Sequence, residues 1–344
     1  MRYINKKRRV SIWGASVLGV FLVAANLAEA QTPSPALLVL EKSDNMLAIV
    51  DPANLQIVGR VPTGPDPHEI VASPDGKLAY ISNYGGSEST LNTISVVDVA
   101  ARKALAPINL GALRSAHGLA FAGGKLYFTA ETNKIVGRYD PATQSVDLVL
   151  GTGQDRTHMV AVNESLDRIV TSNVSSGTIS IIEQVSLPTG PPRKTWRVIN
   201  VAAGRGAEGF DVSPDGKEIW AANAQDATVT IIDVASRRVT QTVPIPVKGA
   251  NRLKFTPDGK RVLSSGLGAG AGANLVVLDA ATRKELKSLD LGGGAAGILI
   301  VPDGSRAYVA VSAKDKVAVV DLKSLEVTGY VSTGRQPDGL AWVQ

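Results

Sequence analysis

One short pattern recurs seven times along this chain and strongly limits what the chain can fold into. The pattern is an apolar run that ends in an acidic residue, and the seven acidic residues are Asp51, Asp98, Asp140, Glu183, Asp233, Asp279 and Asp321. Successive intervals are 47, 42, 43, 50, 46 and 42 residues, close to the period of a four-stranded propeller blade. A repeat this short cannot bury a hydrophobic core alone, so neighbouring repeats must stack against one another.

Each repeat contains four apolar runs of strand length separated by turn sequences. The clearest turns are SPDGK at 73–77 and 213–217, TPDGK at 256–260 and VPDGS at 301–305. Asp-Gly after Pro supplies the positive φ angles of tight hairpins, and no helical periodicity is found, so the chain is predicted to be all-β. The seven acidic residues are expected to accept hydrogen bonds from turn amides rather than to act in catalysis.

The first strand of each repeat can be counted, and the count decides how the ring closes. These strands begin at His68, His117, His158, Glu208, Asn251, Ala296 and Asp338. The last one, at 337–343, has no further strands after it, whereas the runs within 37–61 have no first strand before them. We therefore predict a seven-bladed β-propeller in which 337–343 pairs with the strands of 37–61, a closure that removes exposed sheet edges.

The first 30 residues have the pattern of a secretory signal. A basic start from Arg2 to Arg9 precedes an apolar stretch at 12–27 and the small-residue cleavage site Ala28-Glu29-Ala30. We predict a signal peptide at 1–30, a single propeller domain at 31–344, a periplasmic or secreted location, and no membrane span after cleavage. The Arg8-Arg9 pair leaves both the Sec and the twin-arginine routes open.

Charge and cysteine content exclude several classes of function. The chain contains 36 basic and 31 acidic residues, and 31 and 30 remain once the five basic and one acidic residues of 1–30 are set aside. This balance does not favour nucleic acid as a partner. The absence of cysteine excludes disulfides, thiolate metal sites and cysteine nucleophiles. The predicted partners are a small anionic ligand or another exported protein, and the protein is predicted to be a monomer.

Four short motifs carry a family resemblance. Tyr80–Asn83, Trp220–Asn223 and the degenerate Tyr127–Ala130 and Tyr308–Val311 each follow a turn, and the linker Thr63–His68 precedes an inner strand. Over essentially all of 31–344 the chain resembles the YVTN-repeat (YncE-like) β-propeller family. The resemblance implies an exported seven-bladed propeller. It leaves function open, because lactonases, lyases, metal-site enzymes and binding proteins share this fold.

All three histidines of the chain occupy the same position of the repeat. His68, His117 and His158 begin the inner strands of three consecutive blades, so their side chains are expected at one mouth of the central channel. Three interpretations stay open. The histidines are a polar channel lining copied by duplication, a site for zinc, copper or iron, or an acid–base group with Glu208 or Asp338 as partner. The catalytic candidates are therefore the three histidines and Glu208.

Cationic residues surround this position in the blade linkers. The predicted ligand-binding residues are Arg114, Arg156, Arg205, Lys248, Asn251, Arg252, Arg335 and Asp338. Clustered cations focus positive potential on the mouth, and a guanidinium group matches a carboxylate or phosphate, although pairing with nearby carboxylates would also explain them. Loops between second and third strands are expected on the same face.

Two functions follow from these residues. The first is an exported binding or scaffold protein whose mouth takes a small anionic ligand or an acidic partner segment. The alternative is a metal-dependent or acid–base hydrolase or lyase, similar to a lactonase, that acts on a carboxylate-bearing substrate. The sequence contains no Ser-His-Asp order, P-loop or dinucleotide fingerprint in a supporting context.

Overall fold

The computed structural model describes residues 1–2, 32, 34–85, 92–187, 193–268 and 272–344. The chain divides into a unit at Met1–Gln31 and a unit at Thr32–Gln344. Apart from its first two residues, the predicted signal peptide lies outside the described residues. Within the described part of the chain, no helix is long and apolar enough to cross a membrane.

The described residues of the larger unit form β-strands and three short 3-10 helices. In chain order the strands are β1 Ala36–Glu41, β2 Met46–Asp51, β3 Gln56–Pro62, β4 Pro67–Ala72, β5 Leu78–Asn83, β6 Thr93–Asp98, β7 Lys103–Ala104, β8 Ile108–Asn109, β9 Ala116–Ala122, β10 Lys125–Ala130, β11 Ile135–Asp140, β12 Ser145–Gly151, β13 Thr157–Val162, β14 Arg168–Asn173, β15 Thr178–Ser186, β16 Lys194–Ala202, β17 Ala207–Val212, β18 Glu218–Asn223, β19 Thr228–Asp233, β20 Arg238–Pro244, β21 Ala250–Phe255, β22 Arg261–Gly266, β23 Leu275–Asp279, β24 Glu285–Leu289, β25 Ile298–Ile300, β26 Arg306–Val311, β27 Lys316–Asp321, β28 Glu326–Ser332 and β29 Pro337–Val343. The 3-10 helices are Lys42–Asp44, Glu131–Asn133 and Ser312–Lys314.

These strands form seven antiparallel sheets, which we number as blades I to VII by their inner strands β4, β9, β13, β17, β21, β25 and β29. Six blades have four strands, and in blade I the two short strands β7 and β8 both pair with β6. Blade VII has the order β29-β1-β2-β3, with Ala36 opposite Val343 and Leu38 opposite Ala341. The predicted seven-bladed propeller and its closure by the C-terminal strand are confirmed.

Six of the seven recurring acidic residues stabilise turns as predicted. Asp98 accepts a hydrogen bond from the backbone amide of Ala101 at 2.8 Å, and Asp233 accepts one from the amide three residues later at 2.7 Å. The prediction was wrong for Glu183, whose carboxylate binds Arg237 at 2.7 Å. The reason is that the β15–β16 hairpin continues past Glu183, so no turn amide lies next to it.

The hydrophobic core lies between the blades. One cluster of buried side chains joins each pair of neighbouring sheets around the ring. Between blades IV and V, for example, Trp220 packs edge-on against Phe255 with ring centroids 5.4 Å apart. Because each face of a blade is covered by its neighbour, the inner strands are held in a fixed ring around the channel.

In four blades a glycine directly follows the repeat position that the histidines occupy, and these glycines bring the inner strands close together. The four are Gly118, Gly209, Gly297 and Gly339. A Cβ atom at each would collide with the backbone carbonyl oxygen of the residue at the histidine position of the next blade. The residues at this position are therefore drawn together at one end of the channel, and this end carries the candidate site.

Candidate functional site

The residues at the repeat position that the histidines occupy surround a cavity of about 220 Å³, which we call the mouth. Its wall contains every residue predicted for this position, together with two of the predicted cations and residues of neighbouring loops. The wall residues are Lys42, His68, Tyr84, His117, Arg156, His158, Glu208, Asn251, Arg252, Leu267, Ala296, Ser312, Gln336 and Asp338. Lys42, Tyr84, Leu267 and Ser312 belong to connections between second and third strands, so these loops lie on the mouth face as predicted.

His158 lies between two carboxylates. Its Nδ1 forms a short hydrogen bond with Glu131, and its Nε2 lies 3.2 Å from Oε1 of Glu208, at ion-pair distance but without the alignment of a hydrogen bond. Burial alone would lower the pKa of His158, but Glu131 and Glu208 raise it above its ordinary value. Burial would likewise raise the pKa of Glu208, but His158 lowers it to about 2. The three groups therefore form a buried cluster in which the two carboxylates favour the protonated form of His158.

The other two histidines continue from His158 as a row of rings in contact. The ring of His117 lies 3.6 Å from that of His158, centroid to centroid, and burial followed by the charge of His158 holds the pKa of His117 well below its ordinary value. His68 lies 5.0 Å from His117, and its Nδ1 is 3.0 Å from the carbonyl oxygen of Asp66. In neutral His68 this contact makes Nδ1 the donor, which leaves Nε2 as an acceptor toward the mouth.

This arrangement brings the three histidines together but does not form a metal-ligand group. Zinc requires each ligand atom to lie about 2.0–2.3 Å from one point. Both nitrogens of His158 face carboxylates, and His117 stacks on its ring. No group of three or more His, Cys, Asp or Glu side chains able to hold a metal ion is found among the described residues. The metal interpretation therefore stays a prediction that this geometry does not support.

Arg252 connects three blades across the channel. Its buried guanidinium binds the carboxylate of Glu69 in blade I and the side-chain oxygen of Asn251 at 3.0 Å. It also lies 4.0 Å from Oδ1 of Asp338 in blade VII, whose Oδ2 is 3.2 Å from Nζ of Lys42. The predicted ligand-binding residue Arg252 is thus chiefly engaged in a buried ion network.

Four of the six predicted cations do not line the mouth. Arg205 binds Asp226 at 2.7 Å and Arg335 binds Asp44 at 2.6 Å. In each case the linker arginine turns toward an aspartate in a loop of its own blade, because the same aspartate also accepts the arginine's backbone amide. The cations outside the wall are Arg114, Arg205, Lys248 and Arg335, all of them exposed. Arg156 and Arg252 are the two that the structure places at the mouth.

Several important residues were not predicted from the sequence. Tyr84 donates its hydroxyl to Glu131 at 2.6 Å, and burial together with this bond raises the pKa of Tyr84. Glu131 lies directly after the degenerate motif Tyr127–Ala130, a position that gave no signal. Glu69 occupies the inner-strand position where four other blades have glycine, and that break in the repeat could have identified it.

Comparisons with known proteins place the chain among propellers. The family model described as Cytochrome D1 heme domain matches residues 92–305. Hydrazine synthase of Kuenenia stuttgartiensis is 20% identical, with a TM-score of 0.63 over 80% of this chain and 89% of that chain. A putative 6-phosphogluconolactonase of Bacteroides uniformis is 14% identical, with a TM-score of 0.70 over 90% and 100%. Dihydro-heme d1 dehydrogenase NirN in complex with DHE is 16% identical, with a TM-score of 0.62 over 89% and 74%. No curated protein matches the chain.

Proposed function

The chain belongs to the cytochrome D1 heme domain family, and from that premise we propose that it is an exported protein whose mouth binds a small anionic ligand. The family model covers more than half of the chain. Proteins with this domain are typically periplasmic, which supports the predicted export. The similarity to the solved structures, at low sequence identity, supports the fold alone. The ligand is therefore inferred from the residues of the mouth.

The family name implies a haem, and the mouth does not fit one. A cavity of about 220 Å³ lies below the range of about 300–1,000 Å³ that is usual for pockets of drug-sized ligands. Haem iron commonly takes a histidine as axial ligand. His158 has both nitrogens against carboxylates. Nδ1 of His117 has no hydrogen-bond partner among the described residues, but it is enclosed in the wall beside the His158 ring. The described residues thus support a smaller ligand.

The observation that carries the proposal is the ordering of charges by depth. The side chains of Arg156 and Lys42 are 45% and 27% exposed, whereas those of Glu131 and Asp338 are 5% and 6% exposed. These two cations therefore stand outermost, where they meet a ligand first, and the carboxylates that pair with them, Glu131 and Asp338, lie behind. A guanidinium and an ammonium at one opening suit a carboxylate. The size of the cavity favours a small molecule over an acidic protein segment.

Calorimetric titration with propionate at low ionic strength tests this proposal. A hydrogen bond to a charged group contributes about 1.5–3 kcal/mol, so Arg156→Gln should weaken propionate binding about tenfold or more. Lys42→Gln should weaken it as well, and added salt should reduce binding to the parent protein. Arg238→Gln, on an exposed outer strand, is the matched control and should bind as the parent does.

Two results would contradict the proposal in different ways. If Arg156→Gln and Lys42→Gln bind propionate as the parent does, the mouth is not the anion site. If Arg205→Gln or Arg335→Gln weakens binding instead, the site lies on the linker arginines outside the wall.

The acid–base alternative is favoured by one specific contact. The backbone carbonyl oxygen of Asp66 lies 3.0 Å from Nδ1 of His68, and the carboxylate oxygen Oδ1 of Asp66 lies 3.5 Å from the same nitrogen. Contacts of this kind orient a general base. Hydrolysis of a small lactone, with glucono-δ-lactone as the probe, would test it. Turnover lost in His68→Gln, with propionate affinity retained, would support an enzyme, and absence of turnover in the parent would count against this probe class.

A further inference from the structure

We infer that the ligand of the mouth is a hydroxylated carboxylate, and that Glu208 accepts a hydrogen bond from its hydroxyl group. This inference rests on the proposed anion binding and specifies the ligand class.

Glu208 presents an unused acceptor to the cavity. Both side-chain contacts that it makes with described residues fall on Oε1, which lies 3.2 Å from Nε2 of His158 and 3.3 Å from Nδ2 of Asn251. The side chain is 16% exposed and belongs to the wall, so Oε2 remains for a donor on the ligand. Oδ1 of Asp338 also has no hydrogen-bond partner in the described part of the chain, but it is enclosed in the wall and leaves Glu208 as the acceptor that the cavity exposes.

The groups beside this acceptor decide which donor fits. An ammonium group at Glu208 would share the carboxylate with Nε2 of His158, which lies 3.2 Å from Oε1 and whose protonated form the neighbouring carboxylates favour. Like charges at such distances repel, and the repulsion grows as water is removed. A hydroxyl donates to a carboxylate without that repulsion, and the charged acceptor strengthens the bond.

The depth of the charges also orients the ligand. Arg156 and Lys42 stand outermost and take the carboxylate, whereas Glu208 lies deeper and faces the hydroxyl-bearing end. A site that is built to hydrogen-bond a hydroxyl discriminates against an analogue without one, because the acceptor is then left unpaired. The volume of about 220 Å³ restricts the ligand to a short acid.

Calorimetric titration of the parent protein with glycerate, propionate and serine tests the inference. Propionate lacks both hydroxyls of glycerate, and serine replaces one of them with an ammonium group. We expect glycerate to bind at least tenfold more tightly than propionate, and serine to bind more weakly than glycerate. Glu208→Gln should reduce the ratio of glycerate to propionate affinity severalfold, whereas Glu326→Gln on the exposed start of β28 should leave it unchanged.

The possible outcomes distinguish failure of the hydroxyl assignment from failure of the proposed anion binding. Equal affinity for glycerate and propionate would overturn the hydroxyl assignment and leave anion binding intact, since water would then satisfy Glu208. Tightest binding of serine would overturn it in favour of a zwitterion. Failure of all three probes to bind would overturn both proposals. The ligand comparison uses the parent protein, so it is decisive even if Glu208→Gln does not fold.

Discussion

Arg252→Met removes the guanidinium at the centre of the channel and keeps most of the aliphatic stem. The guanidinium contacts Glu69 and lies 4.0 Å from Asp338. Removing one partner of a buried ion pair typically costs about 3–5 kcal/mol, because the remaining charge is buried without compensation. Lys42 still lies 3.2 Å from Asp338 after the substitution, so one carboxylate keeps a cation. We therefore expect the free energy of unfolding to fall by about 3 kcal/mol, the lower limit of that range.

Urea unfolding of Arg252→Met, Glu69→Gln and the double variant measures this effect. The midpoint should shift while the slope stays constant, which marks a change in stability rather than in the extent of unfolding. Because the two groups are in contact, the double variant should be less destabilised than the sum of the single variants by about 1–3 kcal/mol. Arg238→Met on an exposed outer strand should leave the midpoint unchanged.

A loss below about 1 kcal/mol in Arg252→Met would refute the reasoning, because an exposed ion pair contributes about that much. Strict additivity of the two substitutions would refute it as well, since Glu69 and Arg252 would then act independently. Either result would mean that water reaches the centre of the channel and screens the pair.

Three further predictions follow from the fold and the site. Folding raises the pKa of His158 above 6.5, so the stabilisation from His158 is complete below pH 6.5 and is lost as pH rises through the folded pKa. Folding lowers the pKa of Glu208 from 4.5 to about 2, so the stabilisation from Glu208 is present above pH 4.5 and is lost as pH falls toward 2. Urea midpoints measured across this pH range should therefore decline on both sides. Gly297→Ala should lower the unfolding free energy by about 1–3 kcal/mol, because the new Cβ atom would collide with the next inner strand. Gly151→Ala is the control and should not lower it, because a Cβ atom there has no neighbour within 4 Å. Similar melting of the two variants would disprove the close approach of the inner strands at Gly297. Deletion of 337–344 should cause unfolding or aggregation by exposing the inner edge of β1, and an unchanged thermal melt of the truncated protein would contradict this role.

The seven-bladed ring could be predicted from the sequence because the turns and apolar strand runs that specify it are local and recur along the chain. Each PDG turn joins two neighbouring strands, and an unpaired first strand at 337–343 can only be completed by the runs within 37–61. The position of the histidines was predictable for the same reason, since a position in the repeat is also a position in the channel. Repetition therefore converts sequence spacing into three-dimensional placement.

The sequence did not predict which charged side chains pair with one another at the mouth, because most of these pairs form between blades across the ring. Glu69 and Arg252 are far apart in sequence and lie in blades I and V, and nothing local indicates that they meet. The directions of Arg205 and Arg335 depend on aspartates in separate loops, which capture both the side chain and the backbone amide of each arginine. Spacing places a residue at a mouth or in a linker, whereas competition among nearby charges decides which way its side chain turns.

The pairing of β1 with β29 has a consequence for the order of folding. Ala36 lies opposite Val343, so completing blade VII joins positions about 300 residues apart. For a flexible chain the length-dependent entropy of closing such a loop is about 5 kcal/mol. Blades I to VI are each built from contiguous sequence and escape this cost, so blade VII should be the last to form. Until then β1 keeps an open edge that the β29 of a second molecule can occupy. The strand pairing that closes the finished ring is therefore also the place where two nascent chains can exchange strands.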